Sequence, residues 1–167
     1  MAILISIKPV YCERIYAGSK TVELRRRCSQ SVCDGLPIFI YETSPVSSVT
    51  GICTIDRVVR LPLVELRTIA LNQGDVTPHE FDKYFHGVDL GFALFLGGVR
   101  PLRERVNLPT LRDVHKIRPP QSYSRISASL AQRFVESESF KLPSRHEYTD
   151  TGRRLAATSG NLRKAAA

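Results

Sequence analysis

No apolar run in this sequence approaches the roughly 18–20 residues that a membrane span requires. The opening MAILISIKPV is too short for a signal peptide, has no basic start and soon runs into charge. The expectation is a cytoplasmic chain with no membrane partner. Cysteine is sparse, at Cys12, Cys28, Cys33 and Cys53. Only Cys28 and Cys33 are close in sequence, no second close pair follows, and no His lies near a Cys. That excludes a recognisable zinc-binding pattern and a Cys–His nucleophile, and it fits reduced thiols. The sequence also lacks a Gly-rich phosphate loop, an HExxH and a GxSxG, so no metal and no cofactor is expected. There is no repeat at 20–50 residues. Strands and helices do not alternate regularly, which argues against a doubly wound parallel sheet.

What is present is an ordinary globular balance, 43% apolar and 24% charged over 167 residues. This excludes a disordered or fibrous chain and leaves room for one domain with some extra chain. The net charge is +8. Residues 1–140 hold 18 basic and 14 acidic residues, and residues 141–167 hold 6 and 2. Half of the excess therefore falls in the last segment, which has no apolar period. The expected organisation is a domain over 1–140 and a basic, disordered tail over 141–167.

The apolar run Ala2–Ile7 reads as a buried strand. Pro9 suits a first helical turn and Gly18 a helix stop, with Tyr11 and Ile15 four apart between them. Thr21–Arg27 alternates with period two. Leu36–Tyr41 and Val49–Arg60 read as strands and Leu63–Leu71 as a helix. Thr77-Pro78-His79-Glu80 has the form of a capping box, and Phe81, Tyr84 and Phe85 follow at a spacing that suits core packing. Gly91–Val99 reads as a strand, with Gly97-Gly98 a bulge or a close approach. Leu108–Val114 and Ser127–Ser137 read as helices. The predicted class is α+β, mainly β: a small mixed barrel or sheet, with short helices packed at its ends and a C-terminal helix.

The segment that could carry chemistry is Gly18-Ser19-Lys20-Thr21-Val22-Glu23-Leu24-Arg25. On a strand, Thr21, Glu23 and Arg25 share a face, and Lys20 can swing towards it from the turn. Lys and Arg offer cationic donors for a phosphate or a carbonyl, while Glu23 could accept hydrogen bonds or move a proton. A solvated face with surface ion pairs has the same spacing. Arg26 falls on the apolar side of the alternation, so its charge must reach the strand's end or be paired.

These residues resemble a known family. Ile5-Ser6-Ile7-Lys8-Pro9, Ile15 and Gly18-x-Lys20-Thr21-x-Glu23-x-Arg25 are similar to the N-terminal signature of the ASCH domain. The likeness continues through Ile40-Tyr41, Ser44-Pro45-Val46, Gly51, Phe81-Asp82-x-Tyr84-Phe85-x-Gly87 and the Gly91–Val99 strand. It ends at Arg118-Pro119-Pro120-Gln121-Ser122-Tyr123, covering about residues 1–125. It looks like the prokaryotic branch described as predicted transcriptional regulators.

The resemblance implies a PUA-like β-barrel and a cleft beside it for RNA or a nucleotide, lined by Lys8, Lys20, Glu23 and Arg25; the alternative is that the motif mainly fixes the barrel through a buried Glu23–Arg25 pair. The segment from Arg118 to Tyr123 reads equally as a cleft rim, with Tyr123 stacking on a base and Arg125 contacting a phosphate, or as a plain crossing over the barrel. Two alternative functions come with the resemblance. One is a hydrolase, a ribonuclease or an amidohydrolase of N4-acylated cytidine, with Lys20 and Glu23 catalytic; the other is a small-ligand-sensing regulatory domain. The amidohydrolases carry a Thr where this chain has Glu23, and Glu80 is the candidate for their later Glu. Glu23 stabilises a Lys20 cation, which works against a Lys nucleophile.

Overall fold

Pro9 occupies the first turn of α1 (Pro9–Ala17), where its missing N–H would have no intrahelical partner in any case. Gly18 ends the helix in the left-handed region at φ 80°, with its N–H on the Ile15 carbonyl. This is the computed structural model of the chain, and it describes residues 1–136. The expected tail, 141–167, and residues 137–140 of the expected domain lie outside the described residues.

The remaining helices are α2 (Leu63–Gln73), α3 (Pro78–Phe85), α4 (Leu108–Asp113) and α5 (Ala128–Phe134). The strands are β1 (Ala2–Ile7), β2 (Val22–Arg25), β3 (Pro37–Glu42), β4 (Ser48–Pro62), β5 (Leu90–Asn107) and β6 (Tyr123–Ile126). They form one sheet in the order β2-β5-β4-β3-β1-β6. β1 and β3 are parallel and the other neighbours antiparallel. The class is α+β and mainly β, as read from the sequence. The barrel expected from the resemblance is not closed: β2 and β6 are the two edges, and no ladder joins them among the described residues. Both edges are only four residues long, and side chains rather than backbone cross the gap between them.

Two strand readings change. β5 does not stop at Val99 but runs on through Pro101 to Asn107. A proline and four charged residues hide this half in the sequence. It is accommodated because the β4–β5 ladder slips register at three places, between Val49 and Gly51, Ile52 and Thr54, and Ile55 and Arg57. Gly97 sits at such a place, where a Cβ would run into the Asp56 carboxylate. β6 was not legible as a strand: its four polar-rich residues show too short an alternation, and its pairing with β1 is what defines it.

The period of two in β1 and β3 divides the apolar interior. Leu4 and Phe39 face one cluster, with Leu102, Leu111 and Phe134, under α4 and α5. Ile3, Ile5, Ile38 and Ile40 face a second, closed by Cys12 and Ile15 of α1. A third holds Leu66 and Ala70 of α2 and Phe81 and Phe85 of α3 against Val22, Leu24 and Ala93. Each fully buried side chain of this size contributes about 1.5–3 kcal/mol.

Candidate functional site

The strand that was read as half-buried has no solvated face. Val22, Glu23, Leu24 and Arg25 are all buried, and Lys20 before them is 2% exposed. The polar row faces inward because its charges satisfy one another. Lys20 Nζ donates to the carbonyls of Val22 and Gly74, each at 2.9 Å, and lies 3.4 Å from Glu23 Oε2. Two ammonium hydrogens thus have carbonyl acceptors, and the carboxylate balances the charge. The other Glu23 oxygen, Oε1, is 3.1 Å from Arg25 Nη2. Arg25 then crosses the open seam of the sheet. Nη2 donates to the Ser6 carbonyl of β1 at 3.1 Å, and Nη1 to Ser122 Oγ, just before β6, at 3.3 Å. Arg25 Nε is buried and has no hydrogen-bond partner.

α1 and α3 brace the same network. The Tyr11 ring lies 5.4 Å from Lys20 Nζ, and its hydroxyl donates to Glu80 Oε1 at 3.2 Å. Glu80 completes the capping box read from the sequence, accepting from the Thr77 N–H at 2.7 Å. Those bonds, the backbone one foremost, hold its carboxyl below the usual range. Glu80 therefore bears on Lys20 only through Tyr11. From α3, Tyr84 places its hydroxyl 3.4 Å from the Leu24 carbonyl.

An open groove of about 1020 Å³ begins one residue beyond Arg25. Arg26, Arg27 and Arg60 line it, with Cys28, Ser29, Cys33, Asp34 and Phe92. All three arginines are exposed. Arg26 escapes the apolar side of β2 by donating to the His86 carbonyl at 3.0 Å. Arg60, on β4, extends over the Phe92 ring at 5.9 Å. Asp34 is the one acidic residue in the lining, and one of its oxygens is engaged by the Val58 N–H at 2.8 Å.

Tyr123 ties the groove to the buried network. Its hydroxyl accepts from the Ser29 N–H at 2.6 Å and also hydrogen-bonds the Cys28 thiol. Burial pushes that thiol up, while the Tyr123 hydrogen bond and the Arg25 charge pull it back. Arg125 lies two residues further along β6, on the same face and exposed.

The structure therefore brings Lys20, Glu23 and Arg25 into one network, with Tyr123 beside it. Lys8 stands apart: it is the exposed N-cap residue of α1 and joins none of the ion pairs among the described residues. Arg60, Ser6 and Ser122 were not singled out from the sequence. Ser6 and Ser122 lay inside quoted motifs, but nothing local marks them as partners of Arg25. Arg60 meets Arg27 only through the pairing of β4 with β5 and of β5 with β2. Among the described residues no cluster of His, Cys, Asp and Glu could hold a metal ion. No helix there is long and apolar enough to cross a membrane.

No family model matches the chain. An ASCH domain-containing ribonuclease from Zymomonas mobilis is 29% identical over 133 residues, 79% of this chain and 88% of that protein. The crystal structure of ASCH from Zymomonas mobilis superposes with a TM-score of 0.75 at 29% identity, covering 81% of this chain and 94% of that one. The N-terminal domain of Staphylothermus marinus McrB superposes with a TM-score of 0.51 at 14% identity, over 83% and 94% of the two chains. It shares the fold alone.

Proposed function

Because the chain belongs to the ASCH domain family, we propose that it acts on RNA as a ribonuclease, with the sugar-phosphate backbone in the Arg26–Arg27–Arg60 groove. The observation that carries this reading is the convergence of three exposed arginines, two from the segment just after β2 and one from β4, on one open groove beside a buried Lys20–Glu23–Arg25 network. Guanidinium groups match phosphate oxygens in geometry and charge. They also stabilise the charge that grows on a phosphodiester as it is cleaved. The relative from Zymomonas mobilis, a ribonuclease by name, supports the same substrate.

In this reading Glu23 is the proton acceptor, with lone pairs left on both oxygens beyond its ion pairs. Lys20 and Arg25 fix its orientation. Tyr123 supplies a stacking surface and Arg125 a phosphate contact along β6. Lys8 adds a cation beyond Ser6.

The test is cleavage of an unstructured RNA by wild type, by Arg27→Ala/Arg60→Ala and by Glu23→Gln. Wild type should turn over. The double variant should bind RNA less tightly, with a salt dependence shallower by about 0.7 per lost contact. Glu23→Gln should lose at least about 100-fold in kcat, with its fold checked by circular dichroism. Cleavage that survives in all three removes the site from the reading. Release of acetate from N4-acetylcytidine without RNA cleavage would favour the amidohydrolase. Thermal stabilisation by a nucleotide, with no product from either substrate, would favour a ligand sensor.

A further inference from the structure

The net charge of the chain is not where the motif is. Residues 1–99 hold ten basic and ten acidic residues, so the part containing α1, β2 and the groove is neutral. Residues 100–136 hold eight basic residues against Glu104, Asp113 and Glu136. Within the described residues the whole excess thus lies on the second half of β5, α4, β6, α5 and their connections.

Four of those cations surround one lobe. α4 and α5 both pack on the cluster of Leu4, Phe39, Leu111 and Phe134. The turn after α4 is drawn against α5 by His115, whose ring meets Phe134 edge-on at 5.2 Å. Arg112, Lys116, Arg118 and Arg133 therefore decorate the outside of this lobe, and all four are exposed. The ion pairs among the described residues are Arg14–Asp75, Lys20–Glu23, Arg25–Glu23 and Arg67–Asp82, and they use none of the four. Arg133 and Glu136 both face the His115 imidazole, with opposite effects on its proton affinity. Burial, and after it the Arg133 charge, lower its proton affinity.

The lobe is also joined to the groove. From Arg118 the chain crosses through Pro120, whose carbonyl accepts from Ser6 Oγ at 2.6 Å, to Ser122 on Arg25. Four residues span at most about 14 Å. That is roughly four phosphates of a stacked strand.

We infer that Arg112, Lys116, Arg118 and Arg133 form a second, sequence-independent phosphate-binding face, and that the partner it fits is an RNA strand continuing out of the groove. The inference rests on the proposed RNA substrate for the identity of the polymer. It extends that reading by making the substrate a strand long enough to occupy both surfaces, not a nucleotide or a very short oligomer. Four exposed cations in no ion pair among the described residues, against the two acids Asp113 and Glu136 on the same lobe, release counterions from a polyanion on contact, and this gives affinity without base readout.

The experiment uses the full chain and the variant Arg112→Ala/Lys116→Asn/Arg118→Ala/Arg133→Ala. Asn is chosen because residue 116 has φ 56°, a region Asn tolerates. Retention of an RNA of about 30 nucleotides is measured against salt, together with cleavage of that RNA and of a trinucleotide. The salt slope should fall by about 3, four contacts at about 0.7 each. Cleavage of the long RNA should weaken through KM, and trinucleotide cleavage should be unchanged. An unchanged slope overturns the face. So does equal retention of polyglutamate by wild type, which would make the partner an acidic protein. If neither RNA is cleaved, the ribonuclease reading fails, and the salt slope still decides the face.

Discussion

Arg25 Nη2 donates to the carbonyl of Ser6 at 3.1 Å, and this bond joins β2 to β1 across the one side of the sheet that has no ladder. The same guanidinium holds Glu23 and Ser122. A single buried side chain thus closes the fold and shapes the head of the groove.

Arg25→Met should therefore destabilise the protein by about 3–5 kcal/mol, the cost of removing one partner from a buried ion pair. Arg25→Lys should recover only part of that, because an ammonium cannot reproduce the planar fork on Glu23, Ser6 and Ser122. Urea unfolding of both variants measures the difference. Equal stability of Arg25→Lys and wild type would show that the charge alone suffices.

Lys20 and Glu23 should be coupled. Lys20→Met leaves the Val22 and Gly74 carbonyls without their donor and Glu23 with one cation. Glu23→Gln leaves two cations without an anion. The double variant should be more stable than the sum of the single losses, by about 1–3 kcal/mol. A double-mutant cycle with additive losses would mean that the 3.4 Å pair contributes no net interaction.

Acid should act in two steps with separate owners. His115 faces Phe134, Arg133 and Glu136, and its proton affinity in the fold is below the unfolded value of 6.5. The unfolded chain then binds the proton more readily, so stability falls as pH drops below about 6.5. Glu80 is depressed below its ordinary 4.5. Its contribution is present above that value and is lost as pH falls through the lower, folded one. His115→Gln should flatten the first step in the pH dependence of Tm and leave the second. Glu80→Gln should do the reverse.

The four thiols should alkylate in order. Cys33 is exposed and should react first with iodoacetamide. Cys28 is half-buried, with its thiol pushed up, and should follow. Cys12 is buried with its thiol raised, and Cys53 is buried and pushed up to about 12, so both should stay unlabelled until the chain unfolds. Only the thiolate attacks. Peptide mass mapping over time reads the order, and early labelling of Cys53 would contradict its burial.

Local signals in the sequence were read well. Pro9 and Gly18 delimit α1, and Thr77 and Glu80 start α3, because caps act within one turn of chain. The Gly-x-Lys-x-x-Glu-x-Arg row was legible as a chemical group, with a buried Glu23–Arg25 pair as one reading of it, but the burial of the whole row was not. That depends on Gly74 at the end of α2 and on Ser6 and Ser122, which alternation cannot see. The long half of β5 was hidden for a related reason. Arg100, Pro101 and Arg103 suggest a loop until three slips of register show how a strand can carry them. The basic lobe is masked in the sequence because a neutral stretch, residues 1–99, precedes it within the same domain.

The slipped register of β5 has a further result for how damage spreads. Residues 92–96 pack in the clusters under α1, α2 and α3, whereas Leu102 and Val106 belong to the cluster under α4 and α5. The change of allegiance falls between Val99, which still packs with the cluster under α1, and Leu102. One strand is thus a party wall between two rooms. A cavity cut at Leu94 should loosen the motif side and one at Leu102 the basic side, so hydrogen exchange should rise in one half of β5 at a time.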